Sequence, residues 1–112
     1  MKVHNYKTSG GKDLIFGYID KLSTDEKVDG YSVIDKIVDD KMDELRIEHW
    51  QGKIYGVYFY RHNRIFYVTM DDIDIYLLHA CRKQKNKTER KDSKIVIKRA
   101  KELGEKLSTK LI

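Results

Sequence analysis

The sequence predicts an α+β fold in a single domain over residues 1–112, with two N-terminal helices, a four-stranded antiparallel sheet and a C-terminal helix. Three features carry that expectation. Apolar residues recur at helical spacing up to residue 45. Residues 46–83 are rich in Tyr, Ile, Val and Phe and are cut by short turns. A second helical pattern follows Thr88.

Ser9-Gly10-Gly11 reads as a turn. Behind it, Leu14, Ile15, Tyr18, Ile19 and Leu22 mark a helix over 12–22. Ser23 or Thr24 can cap a second helix over 25–43, with Asp25 and Glu26 at the positive end of its dipole. The apolar stripe of that helix is Tyr31, Ile34, Val38, Met42 and Leu45. Gly30 interrupts it at a cost of about 1 kcal/mol relative to alanine. Gln51-Gly52, Arg61-His62-Asn63-Arg64 and Met70-Asp71-Asp72 read as turns, which places strands near 45–50, 53–60, 64–70 and 74–83. Connections this short require antiparallel hairpins. Thr88 can cap a last helix through about Leu107, with Val96, Ala100, Leu103 and Leu107 facing inward, although Gly104 blurs its end. On this reading the helices pack one sheet face and leave the other free.

Composition excludes several classes. With 40% hydrophobic residues the chain can bury a modest core without staples. One cysteine, Cys81, precludes an internal disulfide framework and suits a reducing cytosol. No apolar run approaches the roughly 20 residues of a membrane span, and no apolar stretch follows the N-terminus as a signal peptide requires. Charge is strongly asymmetric. Residues 1–81 hold 11 Lys and Arg against 14 Asp and Glu, whereas residues 82–112 hold 12 against 4. Such a dipole suits a polyanionic partner, nucleic acid being the commonest, and equally suits a solvated basic helix.

The four histidines lack zinc-site spacing and Cys81 has no C-x-x-C partner, so no metal is expected. Gly10-Gly11 lacks the context of a phosphate loop. Cys81, mid-strand, reads as a small core residue rather than a nucleophile. What remains is the basic run Arg82-Lys83-Gln84-Lys85-Asn86-Lys87, between the last strand and the last helix. Crowding like charges is costly unless an anion relieves it, but lysines also keep strand edges from pairing. Alternation places Lys83 and Lys85 on one face and Arg82 on the other, with Arg61 and Arg64 in the adjoining hairpin. Tyr67 and its aromatic neighbours on the sheet read either as core or, where exposed beside cations, as a stacking platform for unpaired bases. Phe59 and Phe66 are expected in the core.

The order helix–helix–meander–helix, with Leu77-Leu78-His79-Ala80-Cys81-Arg82-Lys83 and Lys87-Thr88, resembles the RelE/HigB superfamily of toxins from toxin–antitoxin pairs, in its phage-derived Gp49-like, HigB-type branch. That branch reads Leu-Leu-His-Gly-Phe, then lysines, then Lys-Thr-Pro; here Ala80, Cys81 and Glu89 replace the glycine, phenylalanine and proline. Asn63-Arg64-Ile65-Phe66-Tyr67 and Asp71-Asp72 also look like the YoeB branch. The similarity spans roughly 12–107.

The resemblance implies a RelE-like fold and a ribosome-dependent messenger-RNA endonuclease without cofactor or metal. In that chemistry a ribose 2′-hydroxyl attacks the adjacent phosphate, which needs a base, a cation for the transition state and an acid. It implies Arg64 as the phosphate-stabilising cation and Lys83 and Lys85 as acid–base residues in place of the family's His and Tyr. Glu44 is the implied acidic base, with Glu48 and His49 as local alternatives. Arg61, Arg82, Lys87 and Tyr67 would bind RNA. The implied partners are messenger RNA on the ribosome and a cognate antitoxin, in the cytoplasm. Two other readings stand beside this one: a non-catalytic nucleic-acid or protein-binding module, and a ParE-like topoisomerase inhibitor of the same fold. The second strand reads Gly56-Val57-Tyr58 where the branch usually has an arginine, which weakens the nuclease chemistry.

Overall fold

The computed structural model describes residues 1–83 and 90–112. Nine elements follow in order: β1 (Lys2–Asn5), α1 (Leu14–Asp20), α2 (Thr24–Val38), a 3-10 turn (Met42–Glu44), β2 (Arg46–Gln51), β3 (Ile54–Phe59), β4 (Asn63–Met70), β5 (Asp74–Arg82) and α3 (Arg90–Leu107). The four-strand meander stands where the turns place it. The purely antiparallel sheet does not. The sheet has five strands in the order β1-β5-β4-β3-β2, and β1 pairs parallel with β5, Val3 opposite Ile75. A parallel pair needs a long crossover, and here it comprises both helices and three strands.

Helices cover both sheet faces, which corrects the one-sided arrangement. On one face α1 and α2 pack Ile15, Ile19, Val33, Ile34 and Ile37 against Val57, Phe59, Ile65, Tyr67, Ile75 and Leu77. On the other, Val96 and Ala100 of α3, with Leu111 of the C-terminal tail, pack against Ile54, Phe66, Val68 and Leu78. Burial on two sides explains why Ile65, Phe66, Tyr67 and Val68 run consecutively apolar instead of alternating.

Local chemistry sets the helix ends. Asp13 caps α1, its carboxylate accepting from the backbone of Ile15 and Phe16 at 2.9 Å each. Helix α2 stops at Val38, short of residue 43, and Asp40 follows in a left-handed conformation at φ 59°. Its buried stripe is therefore Gly30, Val33, Ile34 and Ile37, whereas Val38 is about half exposed and Met42 and Leu45 lie beyond the helix. Gly30 has a packing reason: a Cβ there would meet Phe59 at 3.0 Å and Ile19 at 3.1 Å. The Thr88 cap lies outside the described residues.

Candidate functional site

The pairing register builds the site. Arg46 stands opposite Tyr58, Tyr58 opposite Arg64 and Arg64 opposite Cys81, forming one rung across β2, β3, β4 and β5. Paired residues share a sheet face, and residues two apart along a strand share it too. Glu48 and Lys83 therefore join the rung from either side. This is the face that α3 covers farther along. Within the group, Arg46 and Glu48 remain largely exposed.

The centre of the cluster is the Tyr58 hydroxyl. It accepts from Arg64 Nη2 at 2.6 Å and from Lys83 Nζ at 3.0 Å, and donates to Glu48 Oε2 at 3.0 Å. Three cations also lie against its ring: the guanidinium carbons of Arg46 and Arg64 at 4.6 and 4.8 Å from the centroid, and Lys83 Nζ at 5.2 Å. Arg64 rests on Phe66 as well, at 4.9 Å, and is itself only 6% exposed. Gly56 makes room for it, since a Cβ there would lie 3.0 Å from Arg64 Cδ. Packing thus fixes the guanidinium in place.

Among the described residues three cations surround one carboxylate, a close-set group suited to an anion with two or more oxygens. Glu48 is the acceptor that can take a proton, and Lys83 and Tyr58 are the donors that can give one. Groups able to act as cation, base and acid are thus joined through one shared oxygen within a single cluster.

Comparison with known proteins identifies a family. The model of the family described as Phage derived protein Gp49-like (DUF891) matches residues 10–101. The chain belongs to that family. The Gp49-like family is a RelE-like one associated with toxin–antitoxin pairs. No curated protein matches the chain.

The Gp49-like chain brings Arg64 and Lys83 together. It adds Glu48, weighed in the sequence only as a local alternative, and Tyr58, which had no assigned role. Tyr58 could have been found from its alternation: it shares a face with Gly56, two residues back, and with the core residue Ile54, four residues back. The other expected residues lie elsewhere. Glu44 sits on the 3-10 turn, 3.9 Å from Lys36. Arg82 points to the side covered by α1 and α2 and pairs with Glu26 Oε2 at 2.8 Å. Glu26 in turn accepts from Asn63 Nδ2 at 2.9 Å, and Asn63 accepts from Tyr18 at 2.6 Å. Those contacts, led by the Asn63 bond, hold the Glu26 carboxyl below its ordinary range. Tyr67 is 4% exposed in the core against α1 and α2, where burial pushes its hydroxyl up to about 12. It stacks on Tyr55, not on a free surface. Arg61 occupies the β3–β4 turn at φ 65°, its guanidinium over Tyr60. Lys85 and Lys87 lie outside the described residues.

A second cluster adjoins the rung. His79 Nε2 lies 2.8 Å from Asp92 Oδ1 at the start of α3, and its Nδ1 lies 3.3 Å from Arg99 Nη1, which also donates to the Leu78 carbonyl at 2.8 Å. Cys81 brings a sulfur, so three kinds of metal-ligand atom gather within 4.8 Å. The ring's partners argue against a metal there. Arginine can only donate, so Nδ1 must accept and Nε2 carries the proton given to Asp92. Burial lowers the His79 pKa, Asp92 opposing it, and raises the Cys81 thiol to about 12. The group is a clamp that holds the first turn of α3 on β5.

Proposed function

We propose that this Gp49-like chain is the toxin of a type II toxin–antitoxin pair and a metal-independent endoribonuclease that cuts messenger RNA on the ribosome. One observation carries the reading: Arg64, Lys83 and Glu48 converge on the Tyr58 hydroxyl, on a part of the sheet where Arg46 and Glu48 reach solvent. In the proposed reaction the ribose 2′-oxygen bonds to the neighbouring phosphorus, and the bond from that phosphorus to the next nucleotide's 5′-oxygen breaks. Glu48 takes the 2′-hydroxyl proton. Arg64, with Arg46 at the rim, faces the non-bridging oxygens as charge grows on them. Lys83 returns a proton to the leaving 5′-oxygen through or beside Tyr58. The products are a 2′,3′-cyclic phosphate and a 5′-hydroxyl end. Glu48 replaces Glu44 as the base because only Glu48 reaches the cluster. Lys85 and Lys87 are proposed, from their place in the sequence, to hold flanking backbone. A cognate antitoxin would neutralise the toxin by placing carboxylates over the same cations.

The test is induction of the gene in growing cells with mapping of new 5′-hydroxyl ends on messenger RNA. The expected result is cuts within translated codons that vanish in the Arg64→Ala, Lys83→Ala double variant. Growth arrest without new ends would move the protein to contact inhibition, with a topoisomerase as one target. Arrest and cutting that persist in the double variant would remove the site.

A further inference from the structure

We infer that the outer face of α3 is a track for the backbone of an RNA strand, extending from the Arg64 cluster along the helix. Lys91, Lys94, Lys98 and Lys101 follow one another at intervals of three and four residues, and all four are exposed. That spacing places them on one face over about 15 Å of helix. Like charges at these intervals destabilise a helix, so the row persists at a cost that an anion would remove. Among the described residues none of the four makes an ion pair, and Glu102, four residues beyond Lys98, is turned away to accept from the Tyr6 hydroxyl at 2.9 Å. The row ends at Glu105, one turn beyond Lys101.

Two observations assign the occupant. First, the row is continuous with the proposed cleavage site. The His79–Asp92 bond, 2.8 Å long, sets the start of α3 beside β5, and Cys81, two residues on from His79, stands opposite Arg64 in the pairing register. An RNA strand with one phosphate at Arg64 therefore has its flanking phosphates within reach of Lys91 and then of the helix. Second, among the described residues no large apolar side chain of α3 is largely exposed, Ile95 and Ile97 being partly buried. Val96, Ala100 and Gly104 face the sheet, and the exposed large apolar side chains, Val28, Val38, Tyr55 and Ile73, all lie off α3. A protein partner needs buried anchors to bind firmly, whereas a phosphate backbone needs only spaced cations. The inference rests on the RNA reading of the site, but its test is independent of cleavage.

The test uses full-length protein and a 2′-O-methyl RNA of about 20 nucleotides, which cannot be cut and is longer than a single-site footprint. Binding is measured against salt concentration for the wild type, for Lys94→Gln/Lys98→Gln/Lys101→Gln, and for Arg64→Ala. Glutamine keeps helix propensity, so the triple variant should melt at or above the wild-type temperature. Loss of three phosphate contacts should lower the log–log salt slope by about 2 and weaken binding on the order of tenfold near physiological salt. A trinucleotide, too short to reach the track, should bind both proteins alike. An unchanged slope overturns the track. So does an unchanged RNA slope combined with lysine-dependent capture of a polyglutamate peptide, which would make the row a seat for an acidic protein. Reduced slope in the triple variant supports the track whether or not the wild type cuts RNA, while Arg64→Ala reports on the site alone.

Discussion

Glu48 and Lys83 meet through a single atom: the Tyr58 hydroxyl donates to Glu48 of β2 and accepts from Lys83 just past the end of β5, both at 3.0 Å. The proposed acid and base are thereby connected by one proton-carrying oxygen. Tyr58→Phe removes that oxygen and leaves the ring, so the cations keep their aromatic face. Arg64, the buried partner, loses a bond at a cost of about 1–3 kcal/mol, which thermal melting should register. RNA cleavage should fall by roughly 10²–10⁴-fold, the usual contribution of a positioned proton-transfer group. A variant that cuts at the wild-type rate would show that the hydroxyl is only structural.

The two glutamates separate the sequence reading from the geometry. Glu48→Gln removes the carboxylate at the cluster and should slow cleavage by roughly 10²–10⁴-fold with little change in RNA affinity. Glu44→Gln disturbs only an exposed contact with Lys36 and should leave the rate unchanged. Rate measurements on both variants decide the base, and the reverse pattern would reinstate Glu44.

Gly56→Ala probes preorganisation without touching a functional group. The added methyl lies 3.0 Å from Arg64 Cδ and pushes the side chain off its seat between Tyr58 and Phe66. Overpacking of this kind costs about 1–3 kcal/mol. Cleavage should drop more steeply than stability, because a misplacement near 1 Å can cost on the order of 100-fold in rate. Equal activity at reduced melting temperature would mean that Arg64 tolerates displacement.

How much of this was legible beforehand depends on what kind of signal each feature leaves. The meander was readable because Gly52 and the Asp71-Asp72 pair mark its turns. Strand β1 was not, since four residues on a sheet edge carry no period, and its parallel partner lies some 70 residues away. The second covered face had left a trace. Ile65, Phe66, Tyr67 and Val68 do not alternate, as a strand buried on one side would. The basic run was legible as charge but not as direction. Alternation assigned Arg82 and Lys83 to opposite faces, and only the packed helices decide that Arg82 meets Glu26 while Lys83 meets Tyr58. Charge counts do not show that a cation already has a partner.

That partnership predicts a structural role for Arg82. Arg82→Ala should leave RNA cleavage and the salt slope of binding near wild type, while lowering the melting temperature by a few degrees at neutral pH. The Glu26 carboxyl is held below its unfolded value, so its contribution is present above that value and fades as pH falls through the folded one. The wild type should therefore lose part of its margin over Glu26→Gln on acidification into the carboxylate range. If Arg82→Ala instead abolishes RNA binding with unchanged stability, Arg82 belongs to the interface.

His79 predicts a different pH window. Burial, opposed by Asp92 and reinforced by Arg99 and Lys91, lowers its pKa below the ordinary 6.5. The unfolded chain then binds the proton more readily than the folded one, so stability rises with pH. The contribution is complete above about 6.5 and is lost as pH falls from there through the folded value. His79→Gln can still donate to Asp92 but cannot titrate. Chemical denaturation across this range should show the wild type losing stability that the glutamine variant retains, with the two curves parallel above neutrality. The loss should be accompanied by faster amide exchange in the first turn of α3, where Asp92 is clamped. Parallel curves over the whole range would mean that the ring takes up its proton in place, kept by Asp92, and that the clamp is insensitive to pH.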